Sequence, residues 1–272
     1  MSVLLVDIGN TRIKWAVWLN GRIGPMRAAA HAGWSRKDYE RRVFGSRPAR
    51  LSRIIVASVA GARVDRRLAA AARSATRVQP EFIATERRAA GVTTRYVDPW
   101  RLGVDRFVGA IGAHQLAGAR AVCVVNAGTT LTIDLIDGKG VHRGGVILPG
   151  PQLMVHSLLE STAGIARRAR DAAAGGAGQG RSRSRRAPDL FARSTKSAIG
   201  QGALYAVAAL VDRAVAEARR ALGTLPMVLL SGGGAEQLEP LIRSRHLKAA
   251  DLVLRGIAVH AGLAVRAGLA TR

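Results

Sequence analysis

Two stretches of this sequence join a glycine bend to residue types that suit phosphate. In Asp7-Ile8-Gly9-Asn10-Thr11-Arg12-Ile13-Lys14, an apolar run delivers a carboxylate to a tight turn. Such a turn exposes backbone N–H groups, and with the Asn10 and Thr11 side chains it can cradle phosphate oxygens. Asp7 stands where the hydration shell of a Mg²⁺ ion would bridge phosphates, and Lys14 adds positive charge on the returning strand. An ordinary hairpin with a polar turn explains the same residues about as well. The second stretch, Asn126-Ala127-Gly128-Thr129-Thr130, offers similar chemistry after another apolar run. Two further motifs are weak alone. Ser231-Gly232-Gly233-Gly234-Ala235 follows an apolar run, and a simple left-handed turn accounts for it. Gly103-Val104-Asp105-Arg106, preceded by Tyr96 and Asp98-Pro99, reads by itself as an acid at a helix start with a surface ion pair.

The elements that must carry these motifs repeat. Val3-Leu4-Leu5-Val6, the first bend, an alternating run and the turn Asn20-Gly21 form one series. Val122-Cys123-Val124-Val125, the second bend, Leu131-Thr132-Ile133-Asp134-Leu135 and the turn Asp137-Gly138 form the other. Each reads as strand, bend, strand and hairpin turn. The repetition implies an internal duplication, with an α/β half over 1–115 and a second over 116–272. Between them, 53–59 reads as a buried strand, 63–73 and 105–116 as helices, and 203–222 as a helix with one apolar face. Residues 226–231 read as a strand, and 257–269 as a final apolar helix. The stretch 167–187 is rich in glycine and arginine and poor in large apolar residues. It reads as a mobile basic loop, with a phosphate-binding lid as the sharper alternative.

Composition bounds the remaining classes. Of 272 residues, 48% are hydrophobic, enough for a sizeable core. No run approaches the roughly 20 uninterrupted apolar residues of a membrane span. The start of the chain reads as a strand rather than a targeting segment, so the cytoplasm is the default expectation. The single cysteine, Cys123, excludes an intrachain disulfide and reads as a buried thiol. The six histidines are scattered, with no zinc-ligand spacing. The net charge of +24 attracts polyanions. It comes mostly from arginine on an alanine- and glycine-rich background, and no nucleic-acid module accompanies it, which argues against a specific nucleic-acid role.

Two bends and a late glycine motif in this order resemble the acetate and sugar kinase, Hsp70 and actin superfamily. That resemblance implies an α/β fold of two duplicated ribonuclease H-like (actin-like ATPase) halves, with mixed sheets flanked by helices and facing phosphate loops. Gly103-Val104-Asp105-Arg106 narrows it. Together with Gly144-Gly145-Val146-Ile147-Leu148-Pro149-Gly150 and Ser194-Thr195-Lys196-Ser197-Ala198-Ile199-Gly200, the motifs resemble the type III pantothenate kinase family along the whole chain. The resemblance implies ATP-dependent phosphorylation of pantothenate to 4′-phosphopantothenate, the first step of coenzyme A biosynthesis, with Mg²⁺ accompanying ATP. Asp105 would be the catalytic base. Tyr96, Gly103, Val104, Arg106 and Thr195 would join it in holding the substrate, Arg106 and Tyr96 gripping its polar groups, including its carboxylate, and Thr195 coming from the other subunit of a homodimer. Asp7, Ile8, Gly9, Asn10, Thr11, Arg12, Ile13 and Lys14 would bind the ATP phosphates, with Thr129 from the second bend.

One position departs from the family pattern. Asn126 stands where most members carry an aspartate associated with a monovalent cation, potassium or ammonium. Dependence on that cation is therefore open here. Two other readings are kept. One is a different kinase or polyphosphate-cleaving enzyme of the superfamily, against which Gly103–Arg106 argues. The other is an accessory role in bacterial transcription, as for some members of the same family. A regulatory role predicts steeply salt-dependent DNA binding.

Overall fold

The first apolar run forms β1 (Ser2–Ile8), which is buried on both faces. This explains its unbroken hydrophobicity, since a strand covered on both sides has no polar alternation. Leu4, Val6 and Ile8 pack with Ile54, Val56, Tyr39, Phe44 and Leu68. Val3 and Leu5 enter a separate cluster with Val108, Leu254 and Ile257. The structure, a computed structural model, describes residues 1–45, 51–174 and 187–266. They fall into two units. Unit 1 comprises Met1–Val122, Asp134–Gly144 and Asp251–Arg272, and unit 2 comprises Cys123–Ile133 and Gly145–Ala250. Both units are discontinuous in sequence, whereas the duplication reading divides the chain once, at 115/116.

In unit 1, β1 is followed by β2 (Arg12–Leu19), β3 (Arg22–Ile23), β4 (Arg27–Ala30), α1 (Arg36–Tyr39), β5 (Arg53–Ser58), α2 (Ala62–Thr76), β6 (Pro80–Phe82), β7 (Arg88–Ala89), β8 (Val92–Thr94) and α3 (Val104–Ala117). The sheet order is β3-β2-β1-β5-β6, with β4 also on β2. β1 and β2 are antiparallel and β1 and β5 parallel. Asn20 (φ 49°) and Gly21 (φ 80°) are both left-handed, as a two-residue hairpin turn requires.

The second series opens with β9 (Val122–Ala127), β10 (Thr130–Ile136) and β11 (Val141–Pro149). Then come α4 (Pro151–Ser161), α5 (Ala163–Ala174), α6 (Thr195–Leu222), β12 (Met227–Ser231), α7 (Ala235–Leu238), β13 (Leu247–Lys248) and α8 (Leu252–His260). In unit 2 the strand order is β13-β12-β9-β10-β11. Read from the far edge, β11-β10-β9-β12-β13 matches β3-β2-β1-β5-β6 element for element. The α/β class and the duplication both hold. Cys123, Val125, Leu131, Val207, Val211 and Leu230 form the unit 2 core, so Cys123 is a buried structural thiol. Among the described residues α6 alone is long and apolar enough to cross a membrane by length and composition. Its Val207, Val211 and Val215 instead fill this core.

Three expectations change. The turn at Asp137-Gly138 is longer than its counterpart. Asp137 N–H donates to the Val141 carbonyl, and the left-handed residue is Gly140 (φ 79°) rather than Gly138. The final helix is α8, which begins at Leu252 and ends at His260 instead of running over 257–269; 267–272 lie outside the described residues. The basic segment does not begin as a loop at 167, because α5 continues to Ala174. The rest of that expected loop, 175–186, lies outside the described residues.

Candidate active site

The register of the β1/β2 hairpin sets Asp7 opposite Lys14, with Nζ 3.7 Å from the carboxylate. Facing residues of an antiparallel pair point to the same side of the sheet. The Gly9 N–H donates to the Arg12 carbonyl at 3.0 Å, closing the bend, while Asn10, Thr11 and Arg12 are exposed at its tip. The Gly9 carbonyl is in turn bonded by His31 Nε2 at 2.7 Å, and His31 Nδ1 meets the Tyr39 hydroxyl at 3.2 Å. His31 is therefore a brace for the bend, and no local pattern around it marked it.

Burial pushes the Asp7 carboxyl up to about 6. The Lys14 charge and hydrogen bond work against that rise, and the charge of Asp105 adds to it. The first bend and Asp105 thus share one electrostatic neighbourhood within unit 1. Asp105 lies in the first turn of α3, half-buried, with Oδ1 accepting the Arg106 N–H at 2.9 Å. Its carboxyl is also raised, chiefly by burial. The Arg106 N–H and charge oppose this, and the charge of Asp134 reinforces it. A base moved toward neutral pH is better matched to accepting an alcohol proton. Gly103 has an ordinary φ of −53°, and a Cβ there would lie 2.7 Å from Asp105 Oδ1, so any larger residue would displace that carboxylate. Val104 is buried among Leu5, Ala57 and Val108 and anchors the turn.

Arg106 differs from its expected role as a carboxylate clasp. It is 7% exposed, and its Nε and Nη2 bind Asp134 Oδ2 at 3.0 Å and Oδ1 at 2.5 Å. The fork that would grip a ligand carboxylate is filled by an internal one. Nη1 donates to the Tyr96 phenol oxygen at 2.9 Å. His142 Nε2 also meets Asp134 Oδ1, at 2.8 Å. Asp134 and His142 went unread in the sequence because alternation sets Asp134 on the polar face opposite Leu131, Ile133 and Leu135 and His142 opposite Val141, whereas the fold buries both. Arg87 was missed too, although it binds the carbonyls of Thr94, Tyr96 and Val97 and so ties down the segment carrying Tyr96.

Unit 2 assembles the second bend. Gly128 N–H donates to the Thr130 carbonyl and Gly150 N–H to the Thr129 carbonyl, at 3.0 and 2.9 Å. Gly234 N–H donates to the Ala127 carbonyl at 2.9 Å, and Gly232 (φ 92°) has no room for a Cβ against that oxygen. Three motifs scattered over a hundred residues thus meet at Ala127–Thr129. Thr129 is exposed on this bend, Asn126 is half-buried just before it, and Thr195 lies in the first turn of α6, behind the Ser194 cap.

A hydrated Mg²⁺ fits this chemistry. Asp7 supplies a buried hard oxygen whose raised pKa a cation would lower, beside the polar tip of the bend. Among the described residues no group of three or more His, Cys, Asp or Glu is placed to hold a metal alone.

Comparison with known proteins places the chain. It is 34% identical over 266 residues to the type III pantothenate kinase of Nitrosococcus oceani, covering 94% of this chain and 92% of that one. It is 37% identical over 262 residues to that of Aromatoleum aromaticum, covering 95% and 97%. Two solved structures share the fold. One, from Campylobacter jejuni and named for the Baf family of transcriptional activators, has a TM-score of 0.52 at 18% identity, covering 95% and 98%. The other, component A of (R)-2-hydroxyglutaryl-CoA dehydratase from Acidaminococcus fermentans, has a TM-score of 0.53 at 10% identity, covering 96% of each chain. The sequence pattern of the type III pantothenate kinases matches residues 3–217. This chain belongs to the type III pantothenate kinase family.

Proposed function

We propose that the protein is a pantothenate kinase that transfers the γ-phosphate of ATP to the primary hydroxyl of pantothenate. The product is 4′-phosphopantothenate, and the reaction opens coenzyme A biosynthesis. The observation that carries this reading is the match to the type III pantothenate kinases over residues 3–217, with the Asp7–Lys14 bend and Asp105 both in unit 1. Asp105 accepts the hydrogen bond of the pantothenate hydroxyl and aims its oxygen at the γ-phosphorus. Phosphoryl transfer depends mainly on such alignment and on neutralising charge. Residues Asp7 through Lys14 take the phosphates of ATP, with Lys14 as the fixed cation, and Thr129 contributes from the second bend. Mg²⁺ bound with ATP would supply charge neutralisation at the phosphate oxygens. Tyr96 donates to pantothenate, and Gly103 and Val104 shape the turn beneath it.

The finer features of the family are proposals of the same kind. A homodimer would bring Thr195 of a second copy to the substrate. The exposed Ile147, Leu190 and Phe191 of unit 2 are apolar surface of the sort such an interface covers. Asn126 offers a carbonyl oxygen without charge, so activity here would depend weakly on potassium or ammonium. The cytoplasm is the compartment where ATP and pantothenate meet. The test is a coupled assay with ATP, Mg²⁺ and pantothenate. Asp105→Asn should retain ATP binding and lose on the order of 10²-fold or more in kcat. Normal turnover in that variant removes Asp105 from the mechanism.

A further inference from the structure

The buried group that the reaction does not use is the Asp134–His142 pair. Asp134 is 2% exposed and His142 fully buried. A carboxylate only accepts, so His142 must carry its proton on Nε2 to bond Asp134 Oδ1 at 2.8 Å. The Thr94 hydroxyl oxygen lies 3.4 Å from His142 Nδ1. Thr94 Oγ1 in turn accepts the Tyr96 backbone N–H at 3.2 Å. On the other side, Arg106 links Asp134 to the Tyr96 phenol oxygen at 2.9 Å. The bonds close into a ring that grips Tyr96 at both its backbone and its hydroxyl. Tyr96 and His142 also lie ring to ring, with centroids 5.8 Å apart.

The direction of the bond to the phenol oxygen is fixed. Arg106 cannot accept a hydrogen bond, so the phenol oxygen is always the acceptor from Nη1. The phenol's own proton therefore points away from the ring. Tyr96 is half-buried, so that proton can serve a ligand. We infer that Asp134 and His142 are positioning residues that hold Tyr96 as a dedicated donor to the carboxylate of the phosphoryl acceptor. They thereby set the preference for an acidic over a neutral alcohol. This deepens the kinase reading and rests on it. It also assigns Arg106 a new part: it acts through Tyr96 and does not clasp the acceptor's carboxylate with its own fork.

The experiment compares pantothenate with pantothenol, in which a primary alcohol replaces the carboxylate, on the full-length protein with ATP and Mg²⁺. Tyr96→Phe should raise the KM for pantothenate by roughly tenfold, with a much smaller change for pantothenol, as expected for one lost hydrogen bond to a charged group. His142→Leu removes the donor to Asp134 and should shift the two substrates in the same selective way while leaving the KM for ATP alone. His142→Gln keeps an N–H near the Nε2 position and should restore most of the preference. Thr94→Val opens the ring elsewhere and keeps the test decisive if His142→Leu does not fold. Leu and Gln variants that discriminate equally, or a Thr94→Val enzyme with wild-type discrimination, overturn the inference while the kinase reading stands. Wild-type protein that phosphorylates neither alcohol removes the kinase reading and the inference with it.

Discussion

Asp7 offers the sharpest quantitative test, because its raised pKa makes the first bend a site of stored electrostatic cost. Its carboxyl titrates at about 6 in the native chain against 3.8 ordinarily. Between those values the folded protein binds more protons than the unfolded chain, so Asp7 makes stability rise as pH falls through 6, and the gain is complete below 3.8. The full difference is about 3 kcal/mol, and the part gained between about pH 8 and pH 5 is about 1.4 kcal/mol. Asp7→Asn removes this titration. It also removes the Lys14 ion pair, so the two proteins are compared by their pH slopes and not by their absolute midpoints. The assay is the thermal midpoint of ligand-free wild type and variant across this pH range. Wild type should gain on the variant by about 3–6 °C on going from about pH 8 to pH 5. On the proposed function ATP–Mg²⁺ binds the ionised carboxylate, so its affinity should fall more steeply below about pH 6 for wild type than for the variant. A wild-type-minus-variant difference that is flat with pH, or that slopes the other way, refutes the electrostatic account of the bend.

Two glycine substitutions separate placement of the base from integrity of the fold. Gly103→Ala puts a Cβ against Asp105 Oδ1 at an ordinary φ. It should cost about 1 kcal/mol in stability and lower kcat by roughly tenfold or more with the KM for ATP unchanged; unaltered kcat would show that the carboxylate has slack. Gly256→Ala drives a Cβ into the Val108 carbonyl where α3 and α8 cross. It should destabilise by about 3 kcal/mol or more, read as a loss of soluble, cooperatively melting protein.

Much of this protein was legible before folding because its signals are local. The run Val3–Val6, the bend at Gly9 and the turn Asn20-Gly21 each declare a strand, a tight turn or a left-handed pair through their own residue types, and β1, β2 and the hairpin follow. The same series recurs from Val122, so the duplication could be read as repetition, and the two sheet orders repeat it. Asp105 and Arg106 stood out through a motif. Their surroundings did not, because a hydrogen-bond partner is chosen by topology. Asp134 and His142 lie on neighbouring strands, and nothing in their flanking residues says that their side chains meet the Arg106 fork. Only the folded chain turned Arg106 from a presumed carboxylate clasp into an internal strut. Only the folded chain brought Gly150 and Gly234 onto the bend at Ala127–Thr129. Residue type fixed which groups could do chemistry; burial and long-range pairing decided which are free to do it and at what pH.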